Sequence, residues 1–297
     1  MWTNQILKFY FDATVAADFF RDLSEFGRGG GDIFHVADIF TNNFASAAKS
    51  NAAEVTLVSP TTTDITITVN TWREVSYLVE DMELQHMGVG QVSAIFDAFS
   101  EQAGGRLADD LEDNLLALWS GISTTVGATG SAVTDLQVRQ AIRNVDDNPT
   151  PRRDRAWFIH PRVFWDQIIG LQKYYDASQA GWQIRGGPVI SGGFGQQVQQ
   201  GPGITATTGL YGMLYGDPVY VTTNIVTDAS AYRCLYAHKD AFGFLVITPN
   251  GQRVRLQANY IPENLGLLTT ADTIYGSAEL RDDHAVVLAA STTASTA

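Results

Sequence analysis

The sequence predicts an α+β fold in which one long helix is followed by a series of short strands. From Gln91 to Trp119, apolar residues recur at three- and four-residue steps, the period of an amphipathic helix. Asp64–Asn70 alternates apolar and polar side chains, as a half-buried strand does. Short apolar runs such as Ala156–Ile159 and Ala285–Ala289 predict further strands in the second half of the chain.

The first 45 residues are rich in aromatic side chains and follow no single helical or strand period. Arg28-Gly29-Gly30-Gly31 interrupts them. An extended arm that lies on other surfaces explains this composition, and Phe9, Phe11 and Phe19 are its candidate contacts between subunits. An ordinary N-terminal subdomain is the alternative.

A hairpin is predicted next, with strands at Glu54–Ser59 and Asp64–Asn70 joined by Pro60–Thr63. It has only six sizeable aliphatic residues, and an isolated two-stranded hairpin is marginal in water. We therefore expect the hairpin to rest on another copy of the chain. The candidate contacts are Val55, Leu57, Ile65, Ile67 and Val69.

The long helix follows a predicted strand at Trp72–Asp81. Ser93 is its expected N-cap, Gly121 its expected stop, and Gly104-Gly105 a point of bending. Its other face is acidic. The carboxylates assigned to that face are Asp97, Glu101, Asp109, Asp110, Glu112 and Asp113. A solvated face or a subunit contact explains them better than a metal site, because no His or Cys joins them.

The second half begins with a small-residue linker at Gly127–Thr134. The predicted elements that follow are a helix at Leu136–Val145, a strand at Ala156–Ile159, a helix at Pro161–Leu171, a glycine-rich loop at Gly186–Gly203, and strands within Gly209–Thr223, Ala231–Ile247, Arg253–Ile261 and Ala285–Ala289. The low-complexity tail from Ser291 to Ala297 is expected to be disordered.

Composition narrows the classes of function. The net charge is −13, and only 17% of residues are charged, against about 25% in ordinary globular chains. An acidic chain lacks the basic footprint of a sequence-specific nucleic-acid binder. Cys234 is the sole cysteine, so no intrachain disulfide is expected, and no apolar run is long enough to span a bilayer. We expect a soluble protein made in the cytoplasm.

No residue pattern identifies a catalytic or metal site. The five histidines are scattered, and the glycine loop lacks the lysine and the strand–helix frame of a phosphate-binding loop. His238-Lys239-Asp240 and that loop are the best available site for the alternative hypothesis of a soluble α+β enzyme. No nucleophile, base and orienting group come together in the pattern, so we expect neither enzymatic activity nor a cofactor.

Several local motifs occur in an order that matters. The helix contains Leu107-Ala-Asp-Asp-Leu-Glu-Asp-Asn-Leu-Leu116, and later segments read Leu214-Tyr-Gly-Asp-Pro-Val-Tyr220, Ala237-His-Lys-Asp-Ala241 and Asp282-Asp-His-Ala-Val-Val287. With the preceding arm and hairpin, this order resembles the major capsid proteins of tailed double-stranded-DNA phages, which have the Hong Kong ninety-seven capsid fold.

The resemblance implies four regions. They are an N-terminal arm at 1–45, an extended hairpin loop at 46–80, a peripheral domain at 81–134 that holds the spine helix and is rejoined by strands within 246–297, and an axial domain at 135–245.

The resemblance also implies a structural protein of the virion, assembled in the host cytoplasm. Copies would self-assemble through hexamers and pentamers into an icosahedral shell that encloses DNA without sequence-specific binding, with no membrane. A separate scaffolding protein, a portal and a decoration protein are the expected partners. The extended loop lacks Lys between Asn51 and Asn70, so we expect no covalent crosslink through it. An encapsulin-type compartment that encloses a cargo enzyme is the alternative.

Overall fold

A computed structural model describes most of the chain. The described residues are 10, 14–29, 31–38, 48–51, 54–55, 63–86, 89–148, 150–168, 210–247 and 253–293. No helix within these residues has both the length and the apolar character needed to cross a membrane.

The described residues contain fourteen strands. They are β1 Arg21–Asp22, β2 Ile33–Asp38, β3 Thr63–Thr68, β4 Thr71–Glu80, β5 Thr125–Gly127, β6 Arg155–Ile159, β7 Leu210–Leu214, β8 Asp217–Val221, β9 Thr227–Asp228, β10 Ala231–His238, β11 Phe242–Val246, β12 Arg255–Ile261, β13 Gly266–Glu279 and β14 Ala285–Ser291.

The described residues contain fewer α-helices than strands. They are α1 Ala16–Phe19, α2 Asp81–His86, α3 Val89–Leu116, α4 Asp135–Asp146 and α5 Pro161–Val163. There are also 3-10 turns at Phe26–Gly29, Ala117–Gly121 and Asp282–His284, and a π-helical turn at Phe164–Ile168.

A seven-stranded mixed sheet has the strand order β5-β14-β10-β6-β8-β7, with β9 paired to β10. Every residue of β6 and β14 is buried, as expected of continuous apolar runs covered on both faces. The core around this sheet includes Trp157, Phe158, Tyr236 and Val287. Helix α4 joins the same core through buried residues at its three- and four-residue steps.

A five-stranded sheet forms the second unit, in the order β1-β11-β13-β12, and β4 also pairs with β13. The 14-residue β13 is its central strand, because its first part pairs with both β4 and β12 and its last part pairs with β11. Helix α3 packs on this sheet, and its Leu107, Leu111 and Leu115 are completely buried. Tyr77 of β4 stacks on Phe99 of the helix, with ring centroids 5.9 Å apart.

The predicted long helix is present, with different ends. It begins at Val89 and continues past Leu116 as a 3-10 turn that ends at Gly121. Ser93 therefore lies inside the helix, and the prediction that it is the N-cap is wrong. The short helix predicted at Leu136–Val145 is confirmed at Asp135–Asp146, and Thr134 and Gln137 form a reciprocal capping box at its start.

Within the described residues, the second strand of the predicted hairpin pairs with a segment that the prediction did not assign to it. Strand β3 pairs in antiparallel register with β2, an earlier segment that we had placed in the arm. Glu54 and Val55, the described part of the predicted first strand, are exposed and lie outside any strand, and residues 56–62 lie outside the described residues. The partner of β3 is therefore a segment about thirty residues earlier in the chain.

Each sheet combines strands from distant parts of the chain. β12 and β13 join the sheet under α3, and β11 pairs with β13. β14 lies in the seven-stranded sheet, together with β5. The bounds of a peripheral and an axial domain stay a prediction.

Candidate assembly surfaces

The apolar face of β3 is directed toward its own chain. Ile67 is completely buried, so the contact with another subunit predicted for it is wrong. The cluster around it contains Leu23, Leu245 and Leu280. Ile65 and Val69 are half-buried against the same cluster, and their contact role stays a prediction. The covering residues are distant in sequence, which is why the local pattern made this strand look incomplete.

Val55 is exposed and can still contact another subunit. Its side chain is 67% exposed, and its contact role stays a prediction. Leu57, the other contact predicted for the first strand, lies outside the described residues.

The predicted arm packs, in its described part, into the body of its own chain. The ring of Phe19 lies 5.4 Å from that of Phe20 and 5.5 Å from that of Phe158 in the core of the seven-stranded sheet. Phe19 is only half-buried in this position, and its contact with a neighbouring subunit stays a prediction. Phe9 and Phe11 lie outside the described residues.

A buried carboxylate holds this N-terminal segment to α3. Glu112 is 1% exposed. Its Oε1 accepts the backbone N–H groups of Val15 and Ala17 at 2.8 and 2.9 Å, and its Oε2 accepts that of Ala16 at 2.7 Å. Three N–H groups at the start of α1 thus find their acceptor on a helix nearly a hundred residues later, where a local cap would ordinarily serve.

Burial dominates the electrostatics of this carboxylate. It raises the pKa of Glu112 to about 7, although the three N–H donors act in the opposite direction and Asp18 adds repulsion. The nearby Tyr10 is completely buried, and burial raises its pKa above the ordinary range. The N-terminal segment therefore surrounds a titratable group that ionises near neutrality.

Sequence reasoning placed Glu112 on the solvated acidic face, and that assignment is wrong. A usable signal was present, because position 112 is four residues after Ala108 and three before Leu115, both completely buried. Helical spacing alone puts it on the packed side. Asp97, Glu101 and Asp113 are exposed, as predicted. Burial and the neighbouring Asp109 and Asp110 raise the pKa of Asp113.

Three further contacts hold residues 21–24 of this segment to the five-stranded sheet. Strand β1 pairs in parallel with β11, and Asp22 forms an ion pair with Arg253 at 2.7 Å. Ser24 Oγ accepts the backbone N–H of Val246 at 3.1 Å. Because Val15, Ala16 and Phe20 pack in the core of the seven-stranded sheet, the segment contacts both sheets.

The basic residues within 152–155 form a salt-bridged loop. Arg155 is 4% exposed, donates to Asp146 Oδ1 at 2.6 Å, and also donates to the carbonyl groups of Thr150 and Pro151. Arg152 reaches the other oxygen of Asp146 at 3.1 Å. This network joins the end of α4 to the start of β6.

His238 is part of the turn between β10 and β11. It is 3% exposed, and its Nδ1 accepts the backbone N–H of Asp240 at 3.1 Å. Burial lowers its pKa and lowers the pKa of His284, which faces it at 5.3 Å, to about 4. Both rings serve the packing of the turn. Within the described residues, no group of three or more His, Cys, Asp or Glu is placed to hold a metal ion.

Large apolar side chains are exposed at several places. The most exposed of those described are Phe26, Ile33, Val55, Trp72, Met82, Leu136, Trp165, Tyr260 and Leu265, each more than half exposed. Single exposed apolar residues also occur on monomeric proteins, so these are candidate contacts and not a defined interface.

Comparison with solved structures identifies the fold. A structure from Mycobacterium phage Che8 matches with a TM-score of 0.61 and 16% identity, over 93% of this chain and 90% of that one. The capsid structure of the cyanophage P-SCSP1u matches with a TM-score of 0.63 and 15% identity, over 95% and 89%. The chain has the Hong Kong ninety-seven capsid fold.

Each of these two matches covers more than nine-tenths of the chain. A virus-like particle from Pyrococcus furiosus also matches, with a TM-score of 0.55 and 11% identity, over 96% of each chain. No protein-family model and no curated sequence matches the chain.

Proposed function

We propose that this chain is the major capsid protein of a tailed phage. Copies associate through hexamers and pentamers into a closed icosahedral shell around double-stranded DNA, as a structural component of the virion. The observation that carries this proposal is the match to phage capsid subunits over more than nine-tenths of this chain and close to nine-tenths of those chains.

The subunit itself supports repeated association. Its exposed apolar residues lie on different elements, among them Val55, Trp165 on the turn after α5, and Leu136 on α4. Individually modest contacts reach high overall strength when every copy makes several of them. The net charge of −13 disfavours adhesion to DNA, so a shell of these chains would enclose the nucleic acid without binding it sequence-specifically.

The sheets suggest how the subunit is divided. We assign the five-stranded sheet with α3 to the peripheral domain and the seven-stranded sheet, including β14, to the axial domain. A separate scaffolding protein, a portal and a decoration protein complete the proposal as partners.

Electron microscopy of the purified chain tests this function. We expect closed, uniform shells, formed either by the chain alone or with a scaffolding protein encoded beside it. Small soluble oligomers under both conditions would count against the proposal. Shells taken from infected cells should contain nuclease-protected DNA.

An encapsulin-type compartment is the second candidate, favoured by the match to the Pyrococcus furiosus particle over 96% of both chains. It differs in its contents, because such shells would enclose a protein cargo. Mass spectrometry of purified shells distinguishes the two. A single stoichiometric enzyme without DNA would replace the phage assignment with this one.

A further inference from the structure

The five-stranded sheet has one face that α3 does not cover. Along β4, Val75 packs on the core under α3 and Tyr77 stacks on Phe99 of that helix. Side chains alternate between the faces of a strand, so Trp72 and Glu74 are directed to the opposite face. The outward-facing positions of β13 and β12 lie beside them in register.

Trp72 is exposed and yet fixed in orientation. Its indole is 64% exposed, while its Nε1 donates to Asp272 Oδ2 at 2.9 Å. Asp272 is 4% exposed and is itself held by Arg255, whose Nε and Nη2 donate to its two oxygens at 2.9 and 2.6 Å. A buried carboxylate and a bidentate arginine thus orient an aromatic ring toward solvent. This arrangement preorganises the ring for a ligand.

The groove beside this ring has a volume of about 270 Å³. That is close to the lower end of ligand pockets, roughly 300–1,000 Å³, and fits a single small ring. Its polar lining is provided by Gln257, Asn259, Thr270 and Glu74, and Leu268 adds an apolar contact. Amide, hydroxyl and carboxylate groups donate and accept hydrogen bonds around one flat apolar surface.

This chemistry discriminates between ligand classes. Arg255 and Asp272 neutralise each other, which leaves Glu74 as the excess charge of the lining, so anions are disfavoured. The amide and hydroxyl groups would lose hydrogen bonds to a purely apolar ligand. A neutral sugar ring offers an apolar C–H face for the indole and hydroxyl groups for the polar side chains. We propose that this groove, with Trp72 as its stacking platform, binds a neutral saccharide.

Ligand-observed saturation-transfer NMR on the purified full chain tests the site. The probes are the methyl glycosides of glucose, galactose and N-acetylglucosamine, together with maltotriose, and glucuronic acid serves as the charged comparison. We expect at least one neutral probe to bind saturably and to receive most saturation at its ring C–H protons. Trp72→Ala should weaken this binding at least about tenfold. Trp165→Ala, which removes another exposed indole that does not line the groove, should leave it unchanged.

Gln257→Ala is the second variant, because it alters the polar lining and leaves Trp72 and its anchors in place. It should also weaken binding, which keeps the test decisive if Trp72→Ala does not fold. Three results on the unassembled chain would overturn the proposal. They are no saturable binding by any neutral probe, equal binding of glucuronic acid, and binding that survives both Trp72→Ala and Gln257→Ala. Loss of sugar binding on assembly into shells would assign this face to a contact between copies and would also refute it.

Discussion

At the scale of single residues, Glu112 determines how the first part of the chain is placed. Its carboxylate is the shared acceptor for three backbone N–H groups, and each would lose its partner without it. The contact joins two segments that neither the hydrophobic period nor local capping rules connect. This is the kind of interaction that sequence patterns do not show.

Replacing this residue should be costly. Glu112→Ala removes the acceptor of three N–H groups in a dry site, so we expect a loss of about 3 kcal/mol or more in the free energy of unfolding. Glu112→Gln keeps one carbonyl oxygen and should lose less. Glu101→Gln, on the exposed face of the same helix, is the matched control and should stay within about 0.5 kcal/mol. Denaturant unfolding of the unassembled chain measures all three, and equal stability of Glu112→Ala and wild type would contradict the prediction.

The same residue predicts a dependence on pH. In the folded chain the pKa of Glu112 is about 7, whereas its ordinary value is 4.5. Between these values the folded state binds more protons than the unfolded state, so the contribution of this group is fully present below about pH 4.5 and falls as pH rises to 7. The total loss is about 3 kcal/mol. The difference in unfolding free energy between wild type and Glu112→Gln, measured from pH 4.5 to 8, should decline over this window. A difference that does not change with pH would contradict the prediction.

At the scale of elements, a continuous or strongly periodic apolar pattern was sufficient to predict a helix or strand. The strands β6 and β14 and the helices α3 and α4 were predicted close to their observed bounds, because each buries a face that is visible in its own sequence. β13 was missed, although it is the longest described strand and the centre of its sheet. Its threonines, alanines, glycines and Asp272 weaken the apolar alternation, and its partners lie on three other segments.

Gly276 in β13 lets the paired strands β2 and β3 pack closely on that strand. A Cβ atom on Gly276 would stand 2.3 Å from the carbonyl oxygen of Thr68, because the backbone at the end of β3 lies directly against β13. We expect Gly276→Ala to displace β2 and β3 and to destabilise the chain. Gly105→Ala is the comparison, because a Cβ there meets nothing within 4 Å and alanine favours the helix by up to about 1 kcal/mol. The midpoint temperature of thermal unfolding should fall for Gly276→Ala and rise for Gly105→Ala.

At the scale of the whole molecule, sequence order identified the fold but placed one contact on the wrong side of the subunit boundary. Ile67 was expected to meet another copy and is packed inside its own chain. The prediction assumed that a locally incomplete segment is completed by a neighbouring subunit. Residues far along the same chain complete this one, and no spacing rule reports such partners.

This difference gives an assembly test. Ile67→Ala should destabilise the unassembled chain by about 2–5 kcal/mol, as truncation of a buried isoleucine does. Val55→Asp should leave that stability within about 0.5 kcal/mol and reduce the yield of shells, because it charges an exposed apolar position. Calorimetry and electron microscopy on the same preparations separate the two effects. Normal shell yield with Val55→Asp would remove this residue from the contacts.

The central place of β13 also has a consequence for synthesis. β4 is complete by residue 80, but its pairing partner ends at residue 279. At translation rates of about 5–20 residues per second, the emerging β4 waits roughly 10–40 s for that partner. Throughout this interval an unpaired strand edge is open to other nascent chains on the same message. Pairing of β4 with another nascent chain is therefore the misassembly that we expect during synthesis.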